Sequence, residues 1–180
     1  MKLLKYESYK LTFEPELLTL KPFKSLHQRD KTKDKNKFIQ ELGFIYFFCD
    51  ARSDYQYITD EDNRRLSILE GEGMPLTWKP DKQVQEAMDF YNRFKPTSAL
   101  LLEDTRIAVD KLRLLIRNIN LDDRDDKGKP IYTLNTFTST INQVPILVEN
   151  LTKAEAAINK EIFESNKVRG AQEKSMYEDL

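Results

Sequence analysis

The chain has 180 residues, of which 39% are hydrophobic and 33% charged, with a formal net charge of -1. That size and balance suit one soluble domain with a modest core and much wetted surface, and they exclude a global pull toward nucleic acid or an anionic membrane. A single cysteine, Cys49, excludes an intrachain disulfide, and 5 Gly with 7 Pro leave few places to punctuate short strands. No window approaches the ~18–20 apolar residues of a membrane span. The opening MKLLKYESYK lacks the apolar run of a signal peptide, so the expectation is a protein made and kept, or assembled, in the cytoplasm.

Residues 1–13 alternate apolar and polar side chains and read as an extended arm or one edge strand. Glu14-Pro15-Glu16-Leu17-Leu18 reads as one helical turn, because proline is tolerated in a first turn. Pro22 to Leu26 begins a second short helix that runs into the charged segment Arg29 to Lys37. Asp34 is then the expected N-cap of the stretch that organises the rest.

That stretch is Asp34 to Tyr57, NKFIQELGFIYFFCDARSDYQY read from Asn36. Phe38, Ile39, Leu42, Ile45, Tyr46 and Cys49 fall at helical spacing, and Phe44, Phe47 and Phe48 put rings on the remaining faces. A helix that is apolar nearly all round has to be enclosed, by its own fold or by a partner. Cys49, on this helix, is expected to behave as a small buried hydrophobe.

After Asp50 the chain leaves the helix, and Thr59 is the expected cap of the next one, with Glu61 and Asp62 in its first turn and Gly71 and Gly73 as its stop. Leu76-Thr77-Trp78 crosses to a helix from about Asp81 to Phe94, with Val84, Ala87, Met88 and Tyr91 on one face. Pro96 ends it. A long helix follows, capped by Thr97 or Ser98, with a seam expected at Leu101, Thr105, Ala108, Leu112, Leu115 and Ile119. Past the loop from Asp122 to Pro130, a second seam is expected at Leu134, Phe137, Ile141, Val144, Val148, Leu151, Ile158 and Ile162, broken by Glu155. Two seams joined by a short polar loop predict an antiparallel helical hairpin. Pro145 should kink its second helix, and the threonines at 133, 136, 138 and 140 weaken the start. The expectation is therefore an all-α fold: an arm over 1–13, one helical domain over 14–166 with the hairpin at about 97–166, and a polar tail over 167–180.

No motif announces a reaction. Read as a calcium loop from Asp123, the acidic loop sets Lys127 at the fifth position and Leu134 where a bidentate Glu belongs, which is the chemistry of a solvated turn. His27 is the only histidine, without the paired spacing of a zinc site or a nucleophile to serve. No glycine-rich nucleotide loop occurs, and neither a cofactor nor a metal is expected. Asp50, Asp54, Asp60, Glu61 and Asp62, with Arg52, Arg64 and Arg65, read as caps and ion pairs fixing a loop rather than as an acid–base pair. The lysine run lacks interleaved aromatics, so nucleic-acid contact is at most non-specific.

Arg29-Asp30-Lys31-Thr32-Lys33-Asp34-Lys35, then Glu41-Leu42-Gly43-Phe44-Ile45-Tyr46-Phe47, then Asp50, Arg52, Ser53 and Tyr55 resemble small virion proteins of tailed bacteriophages. The likeness covers roughly residues 15–70 and is closest to structural proteins around the portal and neck of crAss-like short-tailed phages. The resemblance implies a non-enzymatic, multi-copy virion protein bound to portal, capsid or neck components. The residues suit a homo-oligomeric ring built by heterologous contacts, with Phe44, Phe47, Phe48, Tyr55, Tyr57 and Trp78 as interface candidates. Core packing is the competing role for each ring. A free cytoplasmic phage adaptor that binds a host protein is the alternative function.

Overall fold

The apolar run from Phe38 to Cys49 forms one helix, α2 (Asn36–Cys49), and the elements of the first ninety-six residues are wrapped around it. The computed structural model describes residues 3–7 and 10–168, with the side chains of Glu7 and of 161–168 outside that description. These residues are mainly helical, with one two-stranded sheet. Contacts divide the chain into two units, 1–96 and 97–180, where the sequence reading carried one domain across 14–166. The division falls at Pro96, which lacks the N–H needed to continue a helix.

In the first unit, β1 (Leu4–Glu7) and β2 (Lys10–Phe13) pair antiparallel with Leu4 opposite Phe13. The expected N-terminal arm is thus a β-hairpin docked on the chain's own core. Leu3 and Leu4 are buried, and Tyr6 meets Tyr46 and Phe47 with ring centroids 5.9 and 5.0 Å apart. Next come a 3-10 turn at Pro15–Thr19 and α1 (Lys21–Arg29), both entered through a proline as the sequence suggests. A second 3-10 turn, Asp54–Tyr57, leads to α3 (Glu61–Gly71), and α4 (Lys82–Asn92) closes the unit. Val84, Ala87, Met88 and Tyr91 of α4 are all buried, as their spacing predicts.

Phe38, Leu42, Phe44, Ile45 and Cys49 of α2 are at most 1% exposed, and burial of a large apolar side chain stabilises by roughly 1.5–3 kcal/mol. Ile39, expected inside, is exposed, because its place on the wheel falls outside the faces covered by neighbouring elements.

Two caps also differ from expectation. Asp34 is exposed and does not cap α2; Asp30 reaches its start instead and accepts from the Phe38 amide at 2.9 Å. The chain can fold back because Lys35 adopts φ 53, the left-handed region, while its ammonium donates to the Asp30 carbonyl. At α3, Asp60 rather than Thr59 is the cap, accepting from Asn63 N at 2.8 Å. The end of α3 matches its glycines: Gly73 sits at φ 64, its amide reaches Glu70 O, and Met74 N reaches Leu69 O.

The second unit contains α5 (Thr97–Asn118) and α6 (Leu134–Val168), which pack along each other. Arg106 donates to Glu155 at 3.3 Å, and Val109, Leu112 and Ile116 share an apolar groove of about 300 Å³ with Val144, Leu147 and Val148. The threonine-rich start of α6 is held by Thr133, whose hydroxyl accepts from Thr136 N at 3.1 Å. The helix continues through Pro145.

The seam differs from the sequence reading by one heptad position on each helix. On α5 the sheltered residues are Leu102, Thr105, Val109, Leu112, Ile116 and Ile119, while Leu101, Ala108 and Leu115 are exposed. On α6 they are Phe137, Thr140, Val144, Leu147, Leu151, Ala154 and Ile158, while Leu134, Ile141 and Val148 are exposed. The expected break at Glu155 disappears, because the seam passes through Ala154 and leaves Glu155 to its ion pair. The side chain of Ile162, and the expected tail from 169 on, lie outside the described residues.

This register makes a direct prediction. Ile116→Ala should lower stability by about 1–2 kcal/mol, while the neighbouring Leu115→Ala should stay within about 0.5 kcal/mol. Urea unfolding of both variants checks it; the reverse order would restore the expected seam.

Candidate protein interface

Aromatic rings organise the first unit and locate its candidate surface. Phe44 stacks on Phe48 at 5.5 Å and meets Trp78 edge-on at 4.7 Å, while Phe47 meets Tyr55 at 5.4 Å. Phe44 and Phe47 are buried, so neither is available to a partner of the folded unit. Phe48, Tyr55 and Trp78 are half-buried against the core, and Tyr57 is 73% exposed. The six candidates therefore separate into two core rings, three at the core's margin and one on the surface.

Arginines dress that margin. The Arg64 guanidinium lies 5.6 Å from the Phe48 ring centroid and donates to Ile58 O at 2.7 Å, while Arg65 donates to Trp78 O. Half-buried aromatics fixed beside arginines are the residue types that carry binding energy at interfaces. Sequence reasoning passed over three exposed apolar side chains of this unit, Leu66, Leu76 and Phe94. Of these, Phe94 had a readable signal: an aromatic just before the helix-ending Pro96, beyond the buried face of α4.

Buried polar groups hold the ends of α2. Arg29 ion-pairs with Glu41 and donates to Asp81 at 2.6 Å and Gln83 at 3.0 Å, tying α1 and α2 to the start of α4. At the far end, the Arg52 guanidinium and amide and the Tyr91 hydroxyl all donate to Asp50, the hydroxyl at 2.5 Å. Burial opposes charge on Asp50, but the Arg52 contacts outweigh it and hold the carboxyl below its ordinary range. Burial, then the Asp50 charge, pushes the Tyr91 hydroxyl well above its usual range, and the same two causes raise Tyr46 to about 12. A carboxylate so stabilised and so fully engaged is a poor proton acceptor.

The other carboxylates of this region have local tasks. Asp60 caps α3, and Glu61 and Asp62 lie in its first turn. Tyr55 is pushed up to about 12 by burial and by Glu72, to which its hydroxyl donates at 3.3 Å. In the acidic loop, Asp125 accepts from Lys127 N at 2.9 Å and Lys129 N at 2.8 Å, which closes the turn around Gly128 at φ 72. Among the described residues no group of three His, Cys, Asp or Glu side chains is placed to hold a metal. Within the lysine run, Lys35 donates to backbone carbonyls and Lys37 lies 3.9 Å from Glu41, so part of its charge is met inside the unit. No helix among the described residues is long and apolar enough to cross a membrane.

Comparison with known proteins finds no family model, no curated protein and no solved structure that matches the chain.

Two predictions follow from the placement of these groups. Phe47→Ala should lower unfolding free energy by about 3–5 kcal/mol, whereas Tyr57→Ala should change it by less than about 0.5 kcal/mol. Chemical denaturation separates them, and equal effects would mean that Phe47 is not core. Asp30 is lowered to about 2, first by the Phe38 amide and then by the Thr32 hydroxyl. Its contribution to stability is complete above the ordinary carboxyl value near 3.8 and is lost as pH falls toward 2. Melting temperature in wild type should therefore fall more steeply over that window than in Asp30→Asn; parallel curves would remove Asp30 from the account.

Proposed function

We propose that this chain is a bacteriophage virion structural protein of the portal vertex or head–tail connector. It acts without catalysis, through multi-copy, ring-like assembly with itself and with portal, capsid or neck components. The observation that carries the reading is the distribution of apolar surface. The first unit encloses its own aromatic helix, whereas the helices of the second expose Leu100, Leu101, Leu114, Leu134, Ile141 and Ile146. Exposed apolar surface of that extent is characteristic of interaction sites. The antiparallel hairpin of about 97–166 is the assembly element in this reading, and the margin around Phe48, Tyr57 and Trp78 is a second contact. The resemblance of residues 15–70 to phage neck and portal proteins supplies the particle.

The test is quantitative mass spectrometry of purified virions, counting this chain against the major capsid protein. A low, fixed ratio is expected for a ring at one vertex. A ratio near that of the capsid protein would move it to the shell, and absence from particles would overturn the virion role in favour of a free adaptor that binds a host protein.

A further inference from the structure

The seven-residue repeat of α5 makes two apolar faces, and the contact with α6 uses only one. Leu100, Leu101, Ile107, Leu114 and Leu115 are exposed by 38–56%, and Asp104, Ala108 and Lys111 are exposed among them. At about 100° per residue these eight positions fill one side of the helix, roughly 150° round from Leu102, Val109 and Ile116 of the seam. Asp104 and Lys111 have no ion-pair partner among the described residues, while the pairs Arg106–Glu155 and Arg113–Asp110 use other faces.

The order of residues on this face is self-complementary. Laid antiparallel on a second α5 about the midpoint of Ile107 and Ala108, Leu100 comes level with Leu115, Leu101 with Leu114 and Ile107 with Ala108, the first pair near the midline and the other two across its flanks. In the same register Asp104 meets Lys111, and the symmetry repeats that pair on the other side. Each apolar position finds an apolar counterpart and each charge its opposite. The small Ala108 beside the axis lets the helices approach closely. A parallel pairing would set Asp104 against Asp104 and Lys111 against Lys111, which is repulsive.

We propose that this face of α5 is a two-fold, antiparallel interface with a second copy of the same chain, its axis passing between Ile107 and Ala108. Such a contact is isologous and closes on itself, and it takes up Leu100, Leu101 and Leu114, which leaves Leu134, Ile141 and Ile146 of α6 for the heterologous contacts of a ring. It stands whether or not the virion reading does.

Sedimentation of the full chain across a concentration series, at low salt, tests the pairing. Wild type should pass from monomer to dimer, and Leu101→Glu with Leu114→Glu should abolish the dimer without loss of helical content. Asp104→Lys leaves this face only cationic and Lys111→Asp leaves it only anionic. Each alone should dimerise at least about tenfold more weakly than wild type, and an equimolar mixture should recover a dimer containing one of each. High salt should weaken the wild-type dimer. A wild-type chain that stays monomeric overturns the proposal. So does a dimer that survives both glutamates, or a mixture no stronger than its components.

Discussion

The constraint on which the first unit depends is that α2 has almost no side fit for water. A surface helix can present one apolar stripe to a core and leave the rest wet, but Phe38, Leu42, Phe44, Ile45 and Phe47 point in too many directions for that. The chain meets the constraint by surrounding α2 with the N-terminal β-hairpin, α1, α3 and α4, none of which has a comparable apolar circumference. Even β1 and β2, eight residues between them, serve this end: Tyr6 covers Tyr46 and Phe47, and Phe13 covers Phe38 at 5.7 Å.

Burial of that kind is not directional, and polar groups fix how α2 is held. At its start, Asp30 satisfies an otherwise free amide, and one turn later Glu41 is buried against Arg29. At its end, Asp50 gathers Arg52 and Tyr91. Loss of one partner from such a buried group costs more than the pair contributes when intact, which makes these contacts specifiers of geometry rather than sources of stability. Of the acids considered for catalysis, Asp50 is used in this way, whereas Asp60 is an exposed helix cap. The second unit is organised differently, since two amphipathic helices can bury one stripe each against the other and no more.

Legibility of the sequence followed the same division. Where a residue's surroundings are decided by its own helix, the reading held: α4's buried face, the Gly73 stop of α3 and the enclosed Cys49 all follow from local spacing. Errors came where two local solutions were equally good. Leu100-Leu101-Leu102, Ile107-Ala108-Val109 and Leu114-Leu115-Ile116 are apolar triplets one heptad apart, so periodicity alone admits a seam at either flank of the repeat. Packing against α6 selects the set with Val109 and Ile116, which fill more space than Ala108 and leave Glu155 free to pair. The caps were ambiguous for a similar reason, because Asp30 and Asp34 differ only in how the chain turns between them, and a left-handed Lys35 has no sequence signal. Short alternation over residues 1–13 suggested extended chain but could not reveal that β1 and β2 pair with each other and cover α2. Among the candidate interface rings, aromatic identity was plain, while the distinction between core Phe44 and exposed Tyr57 depends on contacts distant in sequence.

The central claim is a division of labour: the first unit encloses its aromatic helix by itself, and the face of α5 is the proposed surface of association. Hydrogen–deuterium exchange on the full chain at low and high concentration tests both halves together. The account predicts that the α2 amides are strongly protected at either concentration, while protection of α5 around Leu101 to Leu115 grows with concentration. Protection of α2 that appears only at high concentration would contradict it, because α2 would then be enclosed by a partner rather than by its own fold.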